Sequence, residues 1–251
     1  MEPIYRMQVK IAPTDVDCFG RLKPSIMLLY IQSISELHSG ALDYTYEELA
    51  SRGIFWAVIR NRVRITRMPR TDEVITLESW PMPTTRVAYP RSTVAYDSQG
   101  NELFRSVCLW VLMDLKNRSM LLPGKSGVDV RGILRGGELE APGSLIPRPH
   151  ANIRRRPVCF TDLDRNGHFN NAKFLNWIDD LLPSQFHRDH PMKELPLVYI
   201  NEAREGHNLD VSWDLDENGL LQVEFQREKA DNPEDHDRIF AARIQFDNVV
   251  L

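Results

Sequence analysis

The chain writes one motif twice. TDVDCFGRLKPSIMLLYIQ begins at Thr14, and TDLDRNGHFNNAKFLNWID begins at Thr161. Thr14, Asp15, Asp17, Gly20, Leu28, Tyr30 and Ile31 meet Thr161, Asp162, Asp164, Gly167, Leu175, Trp177 and Ile178 at one constant offset (162 − 15 = 147). A second copy of one supersecondary unit is the economical explanation, and it commits the chain to two similar halves.

Each copy runs from a polar turn into a helical pattern. In the second, Asn170 or Asn171 is placed to cap the helix, because an asparagine oxygen accepts from a first-turn N–H. Phe174, Leu175, Trp177, Ile178 and Leu181 then recur at helical spacing and face a core. Ahead of that helix stand Asp164, Asn166 and His168 at alternate positions. A polar triplet that meets a helix start is the place to look for chemistry, since free N–H groups there favour a developing oxyanion.

A short strand, Met7 to Ile11, precedes the first motif, and strands follow each helix. In the first half these are read at Trp56 to Thr66, Glu73 to Trp80, Val87 to Tyr96 and Glu102 to Met113. In the second half they are read at Leu197 to Ala203, Leu209 to Leu215, Leu220 to Glu228 and Arg238 to Asp247. Leu221, Val223 and Phe225 alternate with Gln222, Glu224 and Gln226, as in a half-buried strand. The turns DSQGN at Asp97 and DENG at Asp216 join neighbouring strands. Trp213 is matched with Trp80 (213 − 80 = 133) and Phe240 with Phe104 (240 − 104 = 136). The smaller offset reflects an insertion around Ser39 to Gly53 in the first half.

The expected α+β architecture is an antiparallel sheet wrapped around a long helix, made twice. One such unit leaves a sheet edge and a face uncovered, and two fused copies can cover each other. The halves span residues 1–122 and 158–251, joined by a Pro- and Gly-rich linker at 123–157.

A formal charge of −4 supplies no basic field for nucleic acid. No apolar run is long enough to span a bilayer, and MEPIYRMQVK lacks the apolar stretch of a secretion signal. Cys18, Cys108 and Cys159 are too scattered for a disulfide framework or a zinc site. Cys159, just before the motif, is read as a buried strand residue. His187, His190 and His207 show no metal-ligand spacing, so no metal and no cofactor are expected. The compartment is read as cytoplasmic.

DLDRNGHFNNAKFLNW resembles the signature of the acyl-acyl carrier protein thioesterases, a family of double hotdog enzymes. WAVIRNRVRITRMPRTDEVITLESW, Trp56 to Trp80, resembles that family's tryptophan-led strand, proline turn and following strand. With no plastid transit peptide ahead of the first strand, the chain looks like a bacterial-type member. The resemblance implies a tandem hotdog fold. It also implies hydrolysis of fatty acyl-acyl carrier protein to free fatty acid and carrier thiol in fatty acid biosynthesis. It puts the catalytic aspartate, asparagine and histidine on Asp164, Asn166 and His168. In YINEAREGHN the family's further glutamate position, counted back from Gly206, falls on Arg204, flanked by Glu202 and Glu205. Glu202 is favoured because it shares a strand face with Arg204. The first half's interior is implied to hold the acyl chain, with Met27, Tyr30, Ile34 and Trp56 as lining residues.

Thioester hydrolysis needs an activated water or a carboxylate nucleophile, and a stabiliser for the oxyanion. His168 can relay a proton near neutral pH, Asp164 can orient, activate or attack, and Asn166 offers a donor and an acceptor. At the matching positions the first half has Phe19 and Arg21, so one active site per chain is expected, in the second half. The arginines at 60, 62 and 64, and those at 154, 155 and 156, are either solvated faces or surfaces that steer an acidic carrier protein. The chain is expected as a monomer or homodimer. The rival readings are a coenzyme A thioesterase or dehydratase of the hotdog type, and a non-catalytic acyl-binding module.

Overall fold

The structure, a computed structural model, describes residues 3–229 and 232–247. It divides into two compact units, Met1–Ala141 and Pro142–Leu251.

In the first unit the elements run β1 (Tyr5–Lys10), α1 (Pro24–Ala41), α2 (Tyr46–Ser51), β2 (Ile54–Ile65), β3 (Val74–Pro81), β4 (Tyr89–Tyr96), β5 (Glu102–Asp114), β6 (Met120–Leu121) and α3 (Pro123–Ser126). The sheet order is β1-β3-β4-β5-β2, every pair antiparallel, with β6 on β5. The second unit runs β7 (Asn152–Pro157), α4 (Lys173–Asp179), α5 (Ser184–Asp189), β8 (Met192–Tyr199), β9 (Asn208–Leu215), β10 (Leu220–Lys229) and β11 (Asn232–Phe246). Its order is β7-β9-β10-β11-β8, again antiparallel throughout. Element for element the two orders are the same, as the repeated motif demands.

α1 starts at Pro24, whose fixed φ suits the first helical position, and buries Met27, Leu28, Ile31, Ile34 and His38. The expected second long helix is interrupted. α4 has seven residues and α5 six, and between them Pro183 takes φ −70° and ψ 155°. Pro183 stands where the first half has Glu36 (183 − 36 = 147). A proline there removes a helical N–H and pushes the preceding residue out of the helical region, so the helix stops. Phe174, Leu175, Trp177 and Ile178 are buried as expected, whereas Leu181 falls in the break and is half-buried. Phe174 stacks on Phe240 at 4.2 Å and meets Phe225 edge-on at 5.0 Å, which fixes α4 on the inner face of its sheet.

Three further readings are corrected. Residues 152–157, assigned to the linker, form β7 and pair with β9. The run Arg154, Arg155, Arg156 hides an edge strand because it shows no apolar alternation. β8 begins at Met192 and ends at Tyr199, so the stretch expected to be its end forms a turn instead. Trp80 and Trp213 are not equivalent. Trp213 pairs with Val223, on the face that carries Phe225 toward α4. Trp80 lies one residue off Ser79, whose side chain reaches Arg91 and through it His38 of α1, so Trp80 points away from the helix and lies under Arg135. Phe104 and Phe240 are both fully buried. The insertion near Ser39 to Gly53 is filled by the end of α1 and by α2.

Candidate active site

The triplet sits on a tight loop that Asp164 ties together. One carboxylate oxygen, Oδ1, accepts from the backbone N–H of Asn166 at 2.8 Å and of His168 at 3.1 Å. The Asp164 N–H donates to the His168 carbonyl at 2.8 Å, and Gly167 closes the turn at φ +73°, where only glycine is unstrained. A bridge between Leu163 and Phe169 brackets the loop.

The first unit builds the same loop. Asp17 Oδ1 accepts from Phe19 at 2.8 Å and Arg21 at 2.9 Å, Gly20 takes φ +72°, and Val16 bridges Leu22. The aspartate is thus a loop-former in both copies. What differs is the cargo. In the first unit the Arg21 guanidinium turns back onto Asp17 at 3.0 Å and covers the Phe19 ring at 4.9 Å. In the second, His168 points elsewhere, and its Nε2 lies 3.2 Å from Glu202 Oε2. The imidazole is largely buried, with 12% of its side chain exposed, and the carboxylate is 40% exposed.

Glu202 is delivered by the turn after β8. Ile200 and Asn201 both donate to the Ile239 carbonyl, and the Ala203 carbonyl accepts from Phe169 at 2.8 Å, next to His168. Thr66 and Arg67 donate to Leu103, and the Pro69 carbonyl accepts from Leu22, in the same pattern. These bonds equate Ala203 with Pro69 (203 − 69 = 134) and therefore Glu202 with Met68. The first unit lacks both members of the pair. Arg204 reaches within 3.8 Å of the same Glu202 oxygen, Oε2. The Arg204 N–H donates to Nδ1 of His207 at 3.1 Å, as Arg70 N–H does to the Glu73 carboxylate at 2.9 Å. Burial and the nearby Arg227 and Arg204 cations hold the His207 pKa below its ordinary value, which keeps that nitrogen an acceptor.

Asn166, two residues before His168, is exposed. Asn170 Oδ1 accepts from Ala172 N–H at 2.9 Å, so it caps the turn into α4, which begins only at Lys173. The helix start therefore lies a few residues beyond the triplet, at Lys173. Cys159 is exposed rather than buried, and heads the short turn Phe160–Asp162.

The four residues expected to line an acyl site fall in different places. Met27 and Ile34 share the buried face of α1, each 0% exposed. Tyr30 is half-buried and its hydroxyl donates to Asp15 at 2.5 Å. Trp56 packs in a separate cluster with Leu49, Ile54, Tyr89 and Leu112, and its indole N–H donates to Ser39 at 3.2 Å. Asp210, Glu228 and His236 approach one another with metal-ligand spacing. The Arg155 guanidinium bonds both carboxylates, at 2.6 and 2.5 Å. Arg154 and Arg156 are engaged at Asp180. Among the described residues, no helix is long and apolar enough to cross a membrane.

The model of the acyl-ACP thioesterase N-terminal domain matches residues 2–122, and that of the C-terminal domain matches residues 148–248. The palmitoyl-acyl carrier protein thioesterase of Gossypium hirsutum is 24% identical over 62% of this chain and 40% of its own length. An oleoyl-acyl carrier protein thioesterase of Arabidopsis thaliana is 22% identical over 62% of this chain and 47% of its own. The chain thus spans less than half the length of these curated relatives. Among solved structures, an acyl-ACP thioesterase from Bacteroides thetaiotaomicron superimposes with a TM-score of 0.87 at 20% identity, covering 98% of both chains. The 12:0-ACP thioesterase from Umbellularia californica superimposes with a TM-score of 0.80 at 18% identity, again over 98% of both chains. The fold is the tandem hotdog, and with both domain models matched in order across its two halves this chain belongs to the acyl-ACP thioesterase family.

Proposed function

We propose that this chain hydrolyses the thioester of fatty acyl-acyl carrier protein, releasing the free acid and the carrier's pantetheine thiol. The observation that carries the reading is the His168–Glu202 pair, held on two backbone-locked turns in one unit and replaced by Arg21 and Met68 in the other. Glu202 and His168 together take a proton from water as its oxygen attacks the thioester carbonyl. Asn166 donates to the oxyanion of the tetrahedral intermediate. Collapse breaks the carbon–sulfur bond, and His168 returns the proton to the departing thiolate. Asp164 supports this chemistry by shaping the loop, its Oδ1 taken up by two N–H groups as in Asp17, and water is taken as the nucleophile in this reading.

The acyl chain is taken up by the interior of the first unit, where Met27 and Ile34 give α1 an apolar inner face. The test is incubation with a panel of acyl carrier proteins and with the matching acyl-coenzyme A thioesters, following thiol release and identifying the acids. Faster turnover of the carrier-bound chains supports the reading. Turnover of coenzyme A thioesters alone assigns the pair to the other substrate class, and binding without turnover makes the chain an acyl-binding module.

A further inference from the structure

The interior of the first unit holds a charge that this chemistry does not use. Arg91 of β4 is 8% exposed, and no carboxylate pairs with it among the described residues. One guanidinium nitrogen donates to Ser79 Oγ at 3.3 Å and lies 2.9 Å from Nδ1 of His38, itself 1% exposed and stacked on Tyr5. Burial pushes the Arg91 pKa down to about 10, which still leaves it cationic at neutral pH.

Arg91 belongs to a band. Across the sheet Ser79 pairs with Thr93 and Thr93 with Ser106, while Arg91 pairs with Cys108 and Cys108 with Asn61. Thr93 donates to Ser79 at 3.0 Å and Ser106 to Asn61 at 3.1 Å. All lie on one face, because residues two apart on a strand share a side and cross-strand partners share it too. On α1 the buried face is apolar through Met27, Ile31 and Ile34, then becomes polar at Ser35 and His38. The change takes one helical turn, about 5.4 Å.

A buried cation without a carboxylate partner costs the fold desolvation that apolar side chains of similar volume would not. We propose that Arg91 and His38 set the length of acyl chain that this protein accepts, as a polar stop at the His38 end of the apolar surface made by Met27, Ile31 and Ile34. This rests on the reading that the first unit's interior takes the acyl chain. Hydrocarbon pressed against the guanidinium offers no acceptor and strips the cation of polar neighbours, so chains that reach it are refused.

The test compares wild type, Arg91→Met and the double variant His38→Leu/Arg91→Met on saturated acyl carrier proteins of graded length. Melting temperature is recorded for each. The expected result is an optimum moved to longer chains, with kcat/KM for chains beyond the wild-type optimum rising about tenfold or more. Folded variants that keep the wild-type length profile overturn the proposal. Binding of free fatty acids of graded length is measured in parallel. If no protein hydrolyses any thioester, the reading as a hydrolase fails, and longer acids gained by the variants still support the polar stop while an unchanged binding profile overturns it. Should Arg91→Met fail to fold, Arg91→Gln, which keeps a donor and loses the charge, is read in the same way.

Discussion

His168 Nε2 and Glu202 Oε2 lie 3.2 Å apart although their residues sit on separate turns. Neither turn is free to drift, because Phe169 N–H, one residue after the imidazole, bonds the carbonyl of Ala203, one residue after the carboxylate. One backbone hydrogen bond thus sets the spacing of the two groups proposed to activate water.

The carboxylate of Asp164 is a brace in this account. Asp164→Asn keeps an oxygen for the N–H groups of Asn166 and His168, and is expected to retain most turnover. Asp164→Ala loses both bonds and is expected to destabilise by about 2 kcal/mol. Denaturant unfolding and steady-state kinetics on the two variants check this. A complete loss of turnover in Asp164→Asn with an intact fold makes Asp164 the nucleophile.

Stability near the site falls on the acid side through His207. Its folded pKa is lowered, so the unfolded chain binds the proton more tightly. The stabilisation is fully present above the ordinary histidine pKa of about 6.5 and is lost as pH falls through the folded value. His207→Glu installs the acceptor that Glu73 supplies in the first unit. It is expected to flatten melting temperature against pH between about 4.3 and 6.5. Melting scans across that window check it, and an unchanged slope removes His207 as the cause.

The first unit should stay silent after partial conversion. In a His168→Ala background, Phe19→Asn with Arg21→His is expected to leave turnover at the His168→Ala level, because Met68 stands where the glutamate is needed. Thiol release from acyl carrier protein measures this. Recovery of turnover by the double change alone shows that Glu202 has no essential counterpart.

The repeat was the legible part of the sequence, since Asp15, Asp17 and Gly20 against Asp162, Asp164 and Gly167 encode the same backbone turn. Most strand positions followed from alternation. β7 did not, because an edge strand made of Arg154, Arg155 and Arg156 has no apolar side to read. The break at Pro183 was open to the sequence, as a proline set against Glu36, but the apolar spacing of Phe174 to Leu181 masked it. The proximity of Glu202 and His168 comes from hydrogen bonds between distant turns, which no local pattern carries. Arg91 and His38 were missed because a lone arginine in a strand reads as a surface residue until its burial is seen.

The most direct test of the His168–Glu202 assignment is thiol release from acyl carrier protein by His168→Ala and Glu202→Gln, each confirmed folded by circular dichroism. Both are expected to lose on the order of 10²- to 10⁴-fold in kcat, with no comparable change in melting temperature. Turnover within a few-fold of wild type in either variant contradicts the assignment of water activation to this pair.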